Sequence, residues 1–331
     1  MLLLVPIAVS AGLATNLAIG QDSAKAVPAA RPFVAGQPLG VALEGKYTPM
    51  SKNVKVYGAV VNAESCSYDT VRGLIVVTNR GADQNQIPND GFVALLNHDG
   101  SVHTAKWIGA TRDGLTLNHP TGSDIVNGVL YVADIDGGTT ASEPSVAVIR
   151  KFNMTTGAPA GELRVSQSPS IHDIAVASDG TIYATQTRLP GPTTDPSHSK
   201  IFKITAQGAV SELIIGPPLR GPNGIVIDND GNLVVVNIDT NDVLTFALDG
   251  KLLKTEHAVQ PGNDGLVVMK DGTKYVSSVR QGGVSRIRAG QPADLIASGI
   301  PNAASMCYDS DANQLVIPMN PNNGVAIIPL R

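Results

Sequence analysis

Six residues, Glu64, Thr121, His172, Asn223, Asp264 and Ala304, stand at the head of the same short pattern. The pattern is an apolar strand, an Asp, Asn or Gly turn, and a second apolar strand. If it repeats around one axis, the six heads form a ring. Two carboxylates, one amide oxygen and one imidazole then face a common centre, which is costly if they are left unpaired. A divalent cation relieves that cost. Carboxylate and amide oxygens suit hard ions, so Ca²⁺ leads and Mg²⁺ follows, while His172 leaves room for Mn²⁺ or Zn²⁺. The expected metal ligands are Glu64, Asn223 and Asp264. A metal held there would polarise a carbonyl and stabilise the developing oxyanion. His172 is a candidate base because imidazole titrates near neutrality. His172, Asp173, Thr121 and His119 are the candidates for substrate contact. Taken singly, Asn223-Gly224 and Asp264-Gly265 also read as ordinary turns.

The elements that would position these residues are legible as a repeat. The six segments are ESCSYDTVRGLIVVTN, TGSDIVNGVLYVAD, HDIAVASDGTIYATQ, NGIVIDNDGNLVVVN, DGLVVMKDGTKYVSS and ASMCYDSDANQLVIPM. The later ones start about 40 residues apart and the earlier ones about 50 or more, which is the length of a four-stranded propeller blade. Two further strand candidates fill the interval after each, as with Val243–Ala247 and Leu252–His257 around Asp249-Gly250. The fold expected is all-β: a six-bladed β-propeller over residues 54–331. The last repeat runs out of chain before its fourth strand. Val54–Val60 precedes the first repeat and has no other partner, so it is expected to pair with the last blade and close the ring, removing an exposed edge. The second strands end in Asn79, Asp134, Gln186, Asn237 and Ser278, which are expected to serve packing and turns. Insertions at Arg80–Asp90, Asp136–Ser145 and Leu189–Ser199 are expected to form the pocket rim.

Composition narrows the setting. The chain has 331 residues with a net charge of −4, and that small acidic balance excludes nucleic acid as the main partner. Residues 1–26 read as a signal peptide or N-terminal anchor, because the first twenty carry no charge and small-residue cleavage signals follow. Residues 27–53 read as an Ala/Pro/Gly-rich linker. No second run is apolar enough to span a bilayer, so the expected location is periplasmic or secreted. Cys66 and Cys307 are either two buried small hydrophobes or a disulfide between the first and last blades.

The chain resembles the SMP-30/gluconolactonase/LRE-like superfamily of calcium-dependent six-bladed propellers, which includes the paraoxonase-like lactonases. The resemblance is carried by Pro222-Asn223-Gly224-Ile225, Asn263-Asp264-Gly265-Leu266 and Glu64. It implies hydrolysis of a small-molecule lactone or related ester, with a glutamate, an asparagine and an aspartate as metal ligands in this chain order and Asp264 as both ligand and base. Two departures stand out. His172 occupies a position where these enzymes usually have a further asparagine, and Ser65-Cys66 follows Glu64 where Gly-Pro is common. His119-Pro120-Thr121-Gly122 through Asp134 also reads as an NHL-type propeller, whose members bind proteins, peptides or glycans without catalysis. Strictosidine-synthase-like chemistry is a further alternative on the same scaffold.

Overall fold

The structure is a computed structural model describing residues 40–43, 46–81, 88–138, 142–187 and 195–331. The proposed leader at 1–26 and the linker up to residue 39 lie outside them, as do parts of the three rim insertions. Within the segment read as a linker, Gly40–Leu43 pairs with Lys46–Pro49 as a hairpin.

Six four-stranded antiparallel sheets form a six-bladed propeller. Their inner strands are Ala63–Asp69, Ser123–Val126, Ile174–Val176, Pro222–Ile227, Asn263–Val268 and Cys307–Asp309, which define blades 1 to 6 in chain order. Each blade then adds strands outward in sequence order. Blade 6 is the exception. Its outermost strand is Lys55–Tyr57, which pairs with Val325, Ala326 and Ile327. The expected closure by the 54–60 segment is therefore present, in a shorter strand.

The second strand of each blade explains why these runs are so apolar. Its side chains alternate between the two faces, and a neighbouring blade covers each face. In blade 4, Leu233 and Val235 join a cluster with Tyr183 and Ile201 of blade 3. Val234 and Val236 join one with Leu266 and Val276 of blade 5. A strand buried on both sides has no polar face to show, so the run reads Leu-Val-Val-Val. One such cluster lies at every blade interface.

Hydroxyls stitch alternate interfaces near the axis. Thr78 Oγ1 donates to Thr121 O at 2.7 Å, Thr185 Oγ1 to Asn223 O at 2.6 Å, and Ser277 Oγ to Ala304 O at 2.6 Å. Each joins the second strand of an odd-numbered blade to the ring position of the next. Even-numbered blades carry Ala133, Val236 and Ile317 at the matching place.

The seam between blades 6 and 1 is covalent. Cys66 and Cys307 form a disulfide with Cα atoms 5.5 Å apart, which decides between the two readings of the pair. Its partners are 241 residues apart. Loops this long are where a cross-link removes most unfolded-chain entropy, although native strain often reduces the gain. Cys66→Ser with Cys307→Ser, or reduction of the native bond, is expected to cost about 2–4 kcal/mol. Calorimetry with and without reductant checks this, and an unchanged Tm in the reduced protein would show that the bond adds nothing.

Candidate functional site

The three expected metal ligands lie at the starts of three inner strands, and each sits in a local break of strand register. The breaks fall between Ala63 and Ser65, Pro222 and Ile225, and Asn263 and Leu266. Such bulges re-aim side chains. Asn223-Gly224 and Asp264-Gly265 are thus strand residues rather than turns. The glycines permit close blade contact: a Cβ on Gly224 would lie 2.4 Å from Asp264 O, and one on Gly265 would lie 2.5 Å from Met306 N.

Glu64, Asn223 and Asp264 are all buried. Asn223 Nδ2 donates to Asp264 Oδ2 at 3.3 Å. Glu64 Oε1 forms an ion pair with the Arg80 guanidinium at 2.7 Å, and Oε2 accepts from Asn320 Nδ2 at 2.5 Å. Burial raises the proton affinity of Glu64, and Arg80 opposes the shift. Asp264 is held well above the usual carboxylate range by burial first and then by the charges of Glu64 and Asp173, with Arg80 opposing.

The other expected residues divide. Thr121 is buried with its hydroxyl committed to Ile171 O at 2.8 Å, so it serves the contact between blades 2 and 3. Asp173 immediately follows the ring position of blade 3. It lines a cavity of about 470 Å³ beneath the ring, together with Asp124, Ser67 and Ser123. Its Oδ2 accepts from Ile225 N at 3.1 Å, and burial, aided by Asp124 and Glu64, pushes the carboxyl up to about 8. His172 is half-buried at the ring position of blade 3, where its backbone N donates to Thr185 O at 2.9 Å. His119 is half-buried and is held down to about 3 by burial, then by Arg80 and His172. That keeps its imidazole neutral at neutral pH. Its Nδ1 is buried without a hydrogen-bond partner among the described residues. Ala304 contributes only backbone.

The residues ending the second strands hold the loops that lead into the site. Asn79 Oδ1 accepts from Val61 N at 2.9 Å, Asn237 Oδ1 from Arg220 N at 3.0 Å, and Asp134 Oδ1 from His119 N at 2.6 Å. Gln186 Oε1 accepts from Ser168 Oγ at 2.7 Å, and Ser278 Oγ donates to Pro261 O at 2.6 Å. Asp134 is itself fixed by Arg150 Nε at 2.6 Å. The expected packing and turn role is what these contacts supply.

Arg80 and Asn320 are site residues that the repeat did not reveal. Both lie just past the end of a second strand, beyond the template. The available signal was a buried glutamate needing a partner, which does not say which loop provides it.

A family profile described as the SMP-30/Gluconolactonase/LRE-like region matches residues 127–319. The chain belongs to this family. No individual curated protein matches it significantly in sequence. Among solved structures, a gluconolactonase from Xanthomonas campestris is 19% identical, with a TM-score of 0.58 over 85% of this chain and 91% of its own. Virginiamycin B lyase from Staphylococcus aureus is 14% identical, with a TM-score of 0.56 over 84% of this chain and 99% of its own. A calcium-binding protein, regucalcin, from Agrobacterium tumefaciens is 15% identical, with a TM-score of 0.56 over 81% of this chain and 89% of its own. At these identities the likeness shows the shared propeller fold.

In this SMP-30/gluconolactonase-like propeller, Asp173 links stability to pH. Its proton is held more tightly in the folded chain than in the unfolded one, where the ordinary value is 3.8. The native state therefore binds the extra proton between about pH 4 and 8, and that contribution to stability is lost as pH rises through this window. Asp173→Asn is expected to flatten the fall of Tm across the window in chelator-treated protein. An unaltered slope in thermal melts at pH 5, 6.5 and 8 would contradict the assignment.

Proposed function

We propose that the chain hydrolyses lactones or related esters at the propeller mouth. A divalent cation, Ca²⁺ by donor chemistry, would be held by Glu64, Asn223 and Asp264. The observation that carries this reading is the convergence of three bulged strand starts, which deliver two buried carboxylates and an amide to one mouth. Their donor chemistry suits a hard cation. Among the described residues no group of three or more His, Cys, Asp or Glu side chains is arranged to hold a metal, so the amide oxygen of Asn223 has to complete the set. Asp173 adds a further buried carboxyl, and Arg80 is the cation whose charge opposes the shifts of both Glu64 and Asp264. The electrostatic deficit favours added positive charge.

When bound, the cation would polarise the ester carbonyl and stabilise negative charge on its oxygen. The chain's own residues would handle the proton. Asp264 takes a proton from water as the water oxygen attacks the carbonyl carbon. The C–O bond of the ring then breaks, and the proton passes to the leaving alkoxide, giving a hydroxy acid. His172 would be the alternative base. His119, neutral at working pH, can accept or donate a hydrogen bond to substrate oxygen.

A second reading draws on the same mouth. His119 and His172 are close enough to affect each other electrostatically, and lyases are among the structural relatives. An imidazole base could open a cyclic ester by elimination, with no water added. The Cys66–Cys307 bridge supports an oxidising compartment, hence export.

Assays on a lactone and macrocyclic-ester panel in H₂¹⁸O separate these readings. Hydrolysis is expected to place one ¹⁸O in the product carboxylate, to be abolished by chelator and to return with Ca²⁺. Asp264→Ala is expected to lower kcat by about 100-fold or more while leaving the circular dichroism spectrum unchanged. Product without ¹⁸O would favour elimination. Metal binding without turnover of any ester would favour a non-catalytic binding platform.

A further inference from the structure

Glu64 is held from two sides by donors of different character. Arg80 brings a full charge to Oε1 at 2.7 Å, and Asn320 brings a neutral amide to Oε2 at 2.5 Å. The Arg80 and Glu64 side chains are 15% and 6% exposed, so solvent screens the ion pair little. The backbone of Arg80 is anchored, with its N donating to Asn62 O at 3.0 Å. Its Nε is buried without a hydrogen-bond partner among the described residues. Among the described residues the guanidinium fork is thus incompletely satisfied, and leaving that pose forfeits less than leaving a fully bonded one would.

A divalent ion on Glu64, Asn223 and Asp264 would share a carboxylate with this guanidinium. Like charges on one carboxylate repel, most strongly where water is excluded. We propose that Arg80 is a built-in counter-cation that competes with the divalent ion for Glu64 and thereby sets the affinity of the mouth for that ion. The proposal rests on the metal-site reading above. Without metal, Arg80 partly neutralises the buried carboxylates and lets the apo-protein hold its fold. With metal, that role passes to the ion, and Arg80 must yield Oε1 or share it. Asn320 orients the carboxylate in both states, because a neutral amide does not contend for charge.

The test compares chelator-stripped full chain with Arg80→Gln and Arg80→Lys, each titrated with CaCl₂ by calorimetry and melted with and without Ca²⁺. Arg80→Gln is expected to bind Ca²⁺ at least about ten-fold more tightly than the native chain. Its apo form is expected to melt lower and to gain more in Tm on adding Ca²⁺. Arg80→Lys keeps the charge, so it should fold and bind Ca²⁺ within a few-fold of the native chain. Equal or weaker Ca²⁺ affinity in Arg80→Gln, with Ca²⁺ binding to the native chain, overturns the role of Arg80 and leaves the metal site standing. If Arg80→Gln does not fold without metal, it is loaded with Ca²⁺ and chased with chelator, and Ca²⁺ release no slower than from the native chain overturns it. Absence of Ca²⁺, Mg²⁺ and Mn²⁺ binding by all three proteins overturns the metal-site reading and this proposal together. Binding by Arg80→Gln alone upholds both.

Discussion

Burial of both faces of each second strand is the constraint on which the rest depends. A sheet with two apolar faces cannot stand alone in water. Each blade therefore needs a neighbour on both sides, and only a closed ring provides that for all six. Closure has two consequences. The second strands become unbroken apolar runs, and the inner strands are brought side by side around a narrow axis. Polar residues cannot go into the blade interfaces, so they collect where strands end. The mouth is polar because the blades are not.

That geometry also controls the electrostatics. Glu64 and Asp264 lie on blades 1 and 5, and blade 6 alone separates them, yet burial makes each feel the other's charge. Asp173 joins them from blade 3, just below the ring. A single carboxylate at such a place could be tolerated with one hydrogen-bonded partner. Several cannot all be ionised without compensating charge. Arg80 supplies part of it and protonation supplies part. The remaining cost is the thermodynamic room into which a ligand can bind. His119 adds polarity without adding positive charge, since burial and Arg80 keep it neutral.

Much of this was readable from the chain because a repeat converts sequence spacing into angular position. Alignment of six segments placed Glu64, Asn223 and Asp264 at equivalent strand starts around one axis, and the missing fourth strand of the last blade pointed to the 54–60 segment. Thr121 shows where that logic stops. Its ring position was evident, but its hydroxyl is spent on Ile171 O across the blade interface, a choice made by packing. The bulges were hidden behind Asn-Gly and Asp-Gly, whose turn-forming habit is the same in any sequence. Arg80 and Asn320 escaped because they belong to connecting loops, which the repeat does not govern. The cysteine pair was undecidable for a related reason: adjacency of blades 1 and 6 brings two strands together, but the register between them decides whether the sulfurs meet.

The seam between blades 6 and 1 does more than close the ring. The disulfide leaves blade 1 at Cys66, two residues after Glu64. Asn320 of blade 6 bridges to the Ala63 backbone and also grips the Glu64 carboxylate. Asn323 Oδ1 accepts from Asn62 N at 2.8 Å, which fixes the turn that leads into the same strand. Further along, His98 of blade 1 meets the buried carboxylate of Asp309 in blade 6 at 2.8 Å. The glutamate at the mouth is therefore positioned by residues from the first and last parts of the chain. The contacts that join the first and last blades are thus also the contacts that hold its carboxylate.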